Sequence, residues 1–315
     1  MGSPSTQWTE EIGDDEPERH AAFTERIVAL QSRVSAKKGP GRAFHRKQVA
    51  ALSGTLTVPA GLPAHAAQGL FATPGEFDVL ARMSNGSVTP QADQVPDIRG
   101  FALSVRGLGA PGALGGQTDR QDFLLINRPT FGFRDSRDFA DIVAAAPRGQ
   151  RAVLNLLVSK YGAVRGPLEM ARQAADLARP FSGFATSEFH SCAPVAWGPY
   201  AAHVHATPLH AARDVLAWRD WGADIRGRVA RGPLRWAIQA QFYTDPESTP
   251  IEDGRREWDS PRLTVGFLEL SHNEDPDTVA HDHFDPWMAW ADHRPLGEIM
   301  RARKAAYLAS YQNRT

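Results

Sequence analysis

The stretch from Met300 to Thr315 reads MRARKAAYLASYQNRT. As a helix it places Arg303, Tyr307 and Arg314 within about 60° of arc on one face, because successive residues advance by about 100°. A neighbouring guanidinium stabilises a phenolate, which is a hard ligand for ferric iron, and Arg314 could reach an anion beside such a metal. The alternative is a helix whose Tyr307 packs in the core while its arginines extend along apolar surface into water. On its own the stretch favours this second interpretation, so the upstream sequence has to decide.

The composition is that of an ordinary globular protein. The 315 residues are 42% hydrophobic and 23% charged, with net charge −1, and are enough for a large core. A charge so near zero gives no support for binding nucleic acid or a membrane surface. Cys192 is the single cysteine, which excludes internal disulfides and fits a cytoplasmic location. Residues 1–20 are polar and acidic without an apolar run, so they predict neither a secretory signal nor a membrane span.

The pattern along the chain predicts an arm, residues 1–40, followed by a single domain, residues 41–315. Within the arm, Ala21–Val34 has helical spacing that stops at a Lys-Lys-Gly-Pro sequence. Apolar alternation or short apolar runs predict strands at 51–58, 77–83, 101–105, 123–126, 193–206, 224–243 and 263–270. Helical spacing predicts helices at 138–146, 151–161, 168–178 and 286–314. Many antiparallel-looking strands interrupted by one helical block indicate an α+β barrel.

Several polar residues lie where they could do chemistry. His45 precedes a strand and could move a proton near pH 7. Arg82 and Ser84 face the same side of a strand, and the Ser84 hydroxyl could orient an imidazole ring. Asn127 ends a strand and could contribute a polar group to a pocket. Each residue also has a simpler structural interpretation, and Phe139 would by itself be a core residue.

Together these segments resemble the haem catalase family, in the right order along the chain. The matching segments are Arg42-x-x-His45, Arg82-x-Ser84, Asp97–Ala102, Asn127-x-Pro129-x-Phe131-x-x-Arg134-Asp135-x-x-x-Phe139, Val265–Leu270 and Arg303-x-x-x-Tyr307 with Arg314 seven residues later. They cover residues 42–314, although 145–260 match poorly. The resemblance implies an antiparallel catalase-like β-barrel with inserted helices and a C-terminal proximal helix.

The resemblance also implies a cofactor, haem b with ferric iron. Tyr307 would be the axial ligand, since tyrosine holds the iron in catalase, and Arg303 would hold it as a phenolate. Two haem propionates need cations near them, for which Arg42, Arg82 and Arg314 are the matching residues.

On the opposite haem face, the resemblance assigns the proton chemistry to His45. His45 would move a proton between the two oxygens of a peroxide, and Ser84 would orient its ring. Asn127 would position the peroxide, and Phe139 would pack near the haem.

Three departures from the family pattern change the expected activity. Phe44 stands where the family has a small aliphatic residue, and Gly132 stands where it has a phenylalanine. The chain also stops one residue after Arg314, whereas typical catalases continue into a wrapping region where some bind NADPH. We therefore expect a short catalase-related peroxidase, with weak catalase activity and no NADPH. It would reduce hydrogen peroxide or organic hydroperoxides through an oxyferryl intermediate, take electrons from small organic donors, and form a homodimer.

Other functions remain open at this stage. The same fold could rearrange fatty-acid hydroperoxides, as allene oxide synthase does, or could carry haem without turnover. A cupin-like non-haem metal site is a further alternative, because His203-x-His205 puts two imidazoles on one strand face and His190 and His210 are near. The block 281–283 offers two more histidines. A carboxylate at the usual cupin spacing is missing.

Overall fold

A barrel of antiparallel strands forms the centre of the molecule. The computed structural model describes residues 2–209, 212, 214–280 and 282–314, so the predicted metal ligands His210 and His281 lie outside the described residues. The strands are β1 Lys47–Val58, β2 Gly75–Asn85, β3 Arg99–Pro111, β4 Gln117–Ile126, β5 Phe189–Ser191, β6 Val195–Trp197, β7 Tyr200–Leu209, β8 Leu234–Phe242 and β9 Arg262–Asn273.

The barrel closes because β5 pairs with both β4 and β7. In the described part of the chain, the ring runs β5-β4-β3-β2-β1-β9-β8-β7 and returns to β5, while β6 pairs only with β7. Alternate side chains fill the interior, where large buried rings such as Phe71, Phe101, Trp197 and Trp236 pack together. The β1–β9 contact requires glycine at position 54, since a Cβ there would lie 1.9 Å from the Glu269 carbonyl oxygen.

Helices cover the outside of this barrel. They are α1 Glu16–Lys38, α2 Ser136–Ala145, α3 Gln150–Leu177, α4 Trp221–Val229, α5 Pro276–Ala280 and α6 Glu298–Gln312. The Asp135 carboxylate caps α2 by accepting the Asp138 backbone N–H at 2.9 Å. Helix α1 packs along α6 and α2. None of the described helices is long and apolar enough to cross a membrane.

The predicted α+β barrel is confirmed, but two predicted elements are wrong. Residues 224–229 belong to helix α4 rather than to a strand, because Asp220 caps that helix through the Ala223 N–H at 2.8 Å. The two helices predicted at 151–161 and 168–178 are confirmed, because Gly162, with φ +84°, separates two helical segments within α3. The last helix begins only at Glu298, since Gly297 has φ +86° and interrupts the segment before it.

The arm lies against the barrel and α6. Ser5 donates its backbone N–H to the Tyr243 carbonyl at 2.9 Å, and the Trp8 indole donates to Pro199 O at 3.0 Å. Arg301 of α6 forms ion pairs with Glu10 and Glu16, each at 2.7 Å. Charge pairs therefore fasten the arm to the helix that carries Tyr307.

Candidate active site

A cavity of about 810 Å³ separates the outer face of the barrel from the helices. Strand alternation decides which residues face it: Ala81 and Met83 point into the barrel core, so Arg82 and Ser84 point outward into the cavity. Eight of the nine predicted site residues line this cavity: Arg42, His45, Arg82, Ser84, Phe139, Arg303, Tyr307 and Arg314.

His45 is held rigidly on the barrel side of the cavity. Its backbone has φ +52°, an uncommon value for a residue with a Cβ, and its N–H donates to Gly86 O at 2.9 Å. Its ring Nδ1 lies 3.1 Å from the Ser84 hydroxyl. Gly100, paired with Ser84 across β2 and β3, makes room for the ring, since a Cβ there would lie 2.5 Å from Nδ1. The predicted contact between Ser84 and His45 is present.

The surroundings keep the His45 imidazole neutral. Burial, and then the positive charges of Arg82, Arg303 and Arg42 in that order, lower the pKa of His45 to about 3. A neutral imidazole has one nitrogen that donates and one that accepts. Because Nδ1 pairs with Ser84, Nε2 is the nitrogen that can exchange a proton with a substrate.

Tyr307 and Arg303 form a pair on α6, at the opposite wall. The Arg303 Nη2 donates to the Tyr307 hydroxyl, and the guanidinium carbon lies 4.9 Å from the centre of the tyrosine ring. Burial raises the pKa of Tyr307 above its usual value, although Arg303 acts to lower it. The expectation that Arg303 holds Tyr307 as a phenolate on ferric iron stays a prediction, and the hydrogen bond between them acts in that direction. Ionisation of Tyr307 requires a further positive charge, such as a bound cation.

Three arginines gather at one edge of the cavity. Arg42 and Arg314 both donate to the carbonyl oxygen of Asp282, at 2.5 and 3.3 Å. Arg82 donates to the His45 carbonyl at 2.7 Å. Burial, and then repulsion from the other arginines, lowers the pKa of Arg42 to about 8 and that of Arg82 to about 9. An anion placed among these cations would relieve both effects.

Asn127 is not brought into the cavity wall with the other predicted residues. It follows β4, and its side-chain oxygen accepts the Arg99 backbone N–H at 2.7 Å. The side chain therefore ties the end of β4 to the start of β3. Its predicted role in positioning a peroxide stays a prediction.

Phe139 lies in a cluster of aromatic rings along the cavity. Its ring centre lies 5.2 Å from those of Phe131 and Phe133, 5.5 Å from Phe44 and 6.2 Å from Phe23. All five line the cavity, so one wall is almost wholly apolar. Phe23 belongs to the arm, and no sequence motif predicted that the arm would line the site.

Three further residues line the same cavity, namely Tyr311, His283 and Cys192, none of which the sequence motifs assigned to it. The Tyr311 ring stacks on His283 with 4.2 Å between ring centres and 12° between planes. Tyr311 follows Tyr307 by four residues and so shares its helix face, a local signal that could have found it. His283 and Cys192 come together with α6 only through the fold.

The buried histidines of the strands bond to each other and to neighbours. His190 and His205 approach through their Nδ1 atoms at 2.8 Å, and His205 Nε2 lies 3.1 Å from the Gln241 side-chain oxygen. His203 Nδ1 pairs with Ser191 Oγ at 2.9 Å. Among the residues that the structure describes, no group of three or more His, Cys, Asp or Glu side chains is arranged to hold a metal ion. The cupin-like alternative gains no support.

Solved catalases share this fold. The whole chain superposes on a bacterial catalase with a TM-score of 0.69, at 17% identity and over 63% of that protein. A fungal catalase gives a TM-score of 0.63 at 16% identity over 65% of its length, and catalase A from Saccharomyces cerevisiae gives 0.63 at 16% over 67%. No protein-family model and no curated protein matches the sequence. At this identity the likeness shows the fold, and the predicted catalase-like barrel is confirmed.

Proposed function

We propose that the protein is a haem-dependent peroxidase with weak catalase activity. It would reduce hydrogen peroxide or organic hydroperoxides and take electrons from small organic donors. One observation carries the proposal: the His45–Ser84 pair of the barrel side and the Tyr307–Arg303 pair of α6 line one cavity. The shared fold with catalases supports it.

The residues present fit haem b. A volume of about 810 Å³ is ample for a porphyrin, and Tyr307 offers an oxygen ligand whose ionisation a ferric ion would promote. The clustered cations Arg42, Arg82 and Arg314 fit two propionates, which would restore the charge balance at that edge. Bound haem would supply the redox chemistry of the iron.

The chain's own residues would handle the protons. His45 Nε2 would accept the proton from the peroxide oxygen that approaches the haem and return it to the departing oxygen. The depressed pKa of about 3 keeps the ring free to accept that proton at neutral pH. Ser84 would hold Nδ1 and so keep Nε2 aimed at the substrate.

The apolar wall favours organic donors over rapid dismutation of hydrogen peroxide. Phe44, which precedes His45 in the chain, packs against Phe139, and the cavity is large enough for more than a peroxide. The same wall favours a second candidate function, the rearrangement of fatty-acid hydroperoxides. That reaction would also use an apolar channel beside the haem.

The absorption spectrum of purified protein after haem addition tests the main proposal. A Soret band is expected for the native protein. The control variant Tyr200→Phe, which changes a tyrosine outside the cavity, should give the same band. In Tyr307→Phe the position and intensity of the band should change. Lack of a Soret band in the native protein overturns the proposal. An unchanged spectrum in Tyr307→Phe overturns the axial assignment.

Activity assays then separate the reactions. We expect oxidation of a phenolic dye by peroxide to exceed oxygen evolution from hydrogen peroxide alone. Conversion of a fatty-acid hydroperoxide to an allene oxide without any donor would instead support the second candidate. The homodimer and the cytoplasmic location stay predictions. Analytical ultracentrifugation tests the homodimer.

A further inference from the structure

Arg303 is held by sulfur atoms as well as by Tyr307. Its Nη1 donates to the Met300 thioether at 3.5 Å, while Nη2 donates to the Tyr307 hydroxyl. The Cys192 thiol lines the same cavity and interacts electrostatically with this guanidinium. Both sulfur residues are buried, with exposed fractions of 5% for Met300 and 7% for Cys192. The guanidinium of Arg303 therefore has two sulfur atoms and one phenol oxygen as its neighbours.

Backbone bonds fix Cys192 relative to α6. Cys192 lies in the link between β5 and β6, and this link is tied to the segment that precedes α6. Leu296 donates its N–H to Pro194 O at 2.9 Å, and Ala196 donates to Arg294 O at 2.8 Å. The distance between the thiol and the Arg303 side chain is thus set by the sheet rather than by flexible side chains alone.

The chemistry of the two acceptors matters, since neutral sulfur binds a guanidinium weakly. A carboxylate would form a charge-assisted, often bidentate pair with Arg303 and compete with the Tyr307 oxygen. The described hydrogen bonds of Arg303 include no carboxylate. The carboxylate of Asp285, which is close enough to act on Arg303 electrostatically, accepts the Trp287 N–H at 2.9 Å and faces His283 Nε2 at 3.4 Å.

We propose that Cys192 and Met300 are positioning residues that form a neutral sulfur cradle for Arg303. The cradle orients the guanidinium towards the Tyr307 oxygen. Because neutral sulfur does not compensate the positive charge of Arg303, that charge acts on the Tyr307 oxygen and sets the strength of its axial bond to haem iron. This inference rests on the proposed function. It assigns a role to two residues outside the motifs that identify the site.

A pair of variants that differ only in charge tests the cradle. Cys192→Asp adds a carboxylate beside Arg303, and Cys192→Asn adds a neutral group of the same shape. We expect haem to dissociate about tenfold faster from Cys192→Asp than from Cys192→Asn. The new carboxylate would form a charge-assisted bond with Arg303, whereas the amide would form only a neutral one, so Arg303 would stabilise the Tyr307 oxygen less in the Asp variant. The readouts are haem transfer to apomyoglobin and the charge-transfer band of the ferric protein. Cys192→Ser should stay within about twofold of the native protein.

The outcomes are distinguishable. Equal haem-release rates and equal charge-transfer bands in Cys192→Asp and Cys192→Asn, with both folded by circular dichroism, overturn the cradle and leave the proposed function intact. Absence of a Soret band in the native protein overturns both. If Cys192→Asp does not fold, Met300→Glu against Met300→Gln repeats the comparison at the other sulfur, and equal rates there again overturn the cradle.

Discussion

Replacing Gly100 with alanine should disable the proton chemistry without emptying the site. The new Cβ would lie 2.5 Å from His45 Nδ1, 2.7 Å from its Cε1 and 2.8 Å from Ser84 Oγ. Ordinary contact begins near 3.4 Å, so the ring has to move by about 1 Å. It cannot retreat by a backbone shift alone, since the His45 N–H is bonded to Gly86 O at 2.9 Å.

A displacement of this size predicts a large kinetic effect with a moderate loss of stability. Misplacing a catalytic group by about 1 Å costs about 100-fold in rate. Overpacking one methyl group in a well-packed region costs about 1–3 kcal/mol in the free energy of unfolding. Haem affinity should change little, because Gly100 contacts neither Tyr307 nor the arginine cluster.

Stopped-flow spectroscopy measures the bimolecular rate of peroxide with the haem-loaded protein. Gly75→Ala is the matched control, since its Cβ would meet only the Phe77 ring at 3.8 Å. We expect a loss of about 100-fold in Gly100→Ala and native kinetics in Gly75→Ala. A native rate in Gly100→Ala, with the Soret band intact, would refute the assignment of His45 as the proton-transfer group.

Three other perturbations follow from the same geometry. Ser84→Ala should bind haem normally but slow the peroxide reaction by about tenfold, since an orienting bond to His45 is lost; stopped-flow measures it, and an unchanged rate would remove Ser84 from the site. Arg314→Met should speed haem release about tenfold by deleting one charge-assisted bond to a propionate; an unaltered release rate in haem transfer would contradict this. The barrel should lose stability in mild acid, because burial lowers the folded-state pKa of His190 to about 4 and of His205 to about 2, against about 6.5 when unfolded. As the pH falls below about 6.5, these histidines bind protons in the unfolded chain before they do so in the folded protein. The free energy of unfolding therefore falls by about 2 kcal/mol per histidine by pH 5. Urea unfolding at pH 7 and pH 5 measures the drop, and a double Gln variant of the pair that shows an equally steep drop would exclude these histidines as its cause.

Local sequence patterns were enough to predict the parts of the site that lie within one element. Arg303 and Tyr307 are one helical turn apart, so any helix brings them together, and they are in contact. Arg82 and Ser84 share a strand face for an equally local reason. The start of helix α6 could not be predicted from local helical spacing. The conformation of the chain before Glu298 is determined instead by contacts of Gly297 with residues distant in the sequence.

Properties that depend on packing between distant segments could not be predicted in this way. The need for glycine at position 100 follows from the register of β2 with β3 and from the ring of His45, which precedes β1. The burial of Tyr307 is another example. Spacing shows that Arg303 is near, but only the enclosed fold shows the desolvation that raises the pKa of Tyr307.

The width of the cavity depends on how α6 is anchored, which gives the arm a part in the site. The His45 wall belongs to the barrel, while the Tyr307 wall belongs to α6. Arg301, two residues before Arg303, is the anchor: besides its ion pairs with the arm it meets Glu252 at 3.1 Å. Its exposed fraction at the side chain is 15%, so these pairs are partly shielded from water and salt. Removing the arm would leave Glu252 as the only one of these three partners for the half-buried Arg301, and would loosen the attachment of α6 to the barrel. The arm therefore contributes to the candidate site in two ways. It holds α6 in place through the ion pairs of Arg301, and it lines the cavity itself through Phe23 and Ile27.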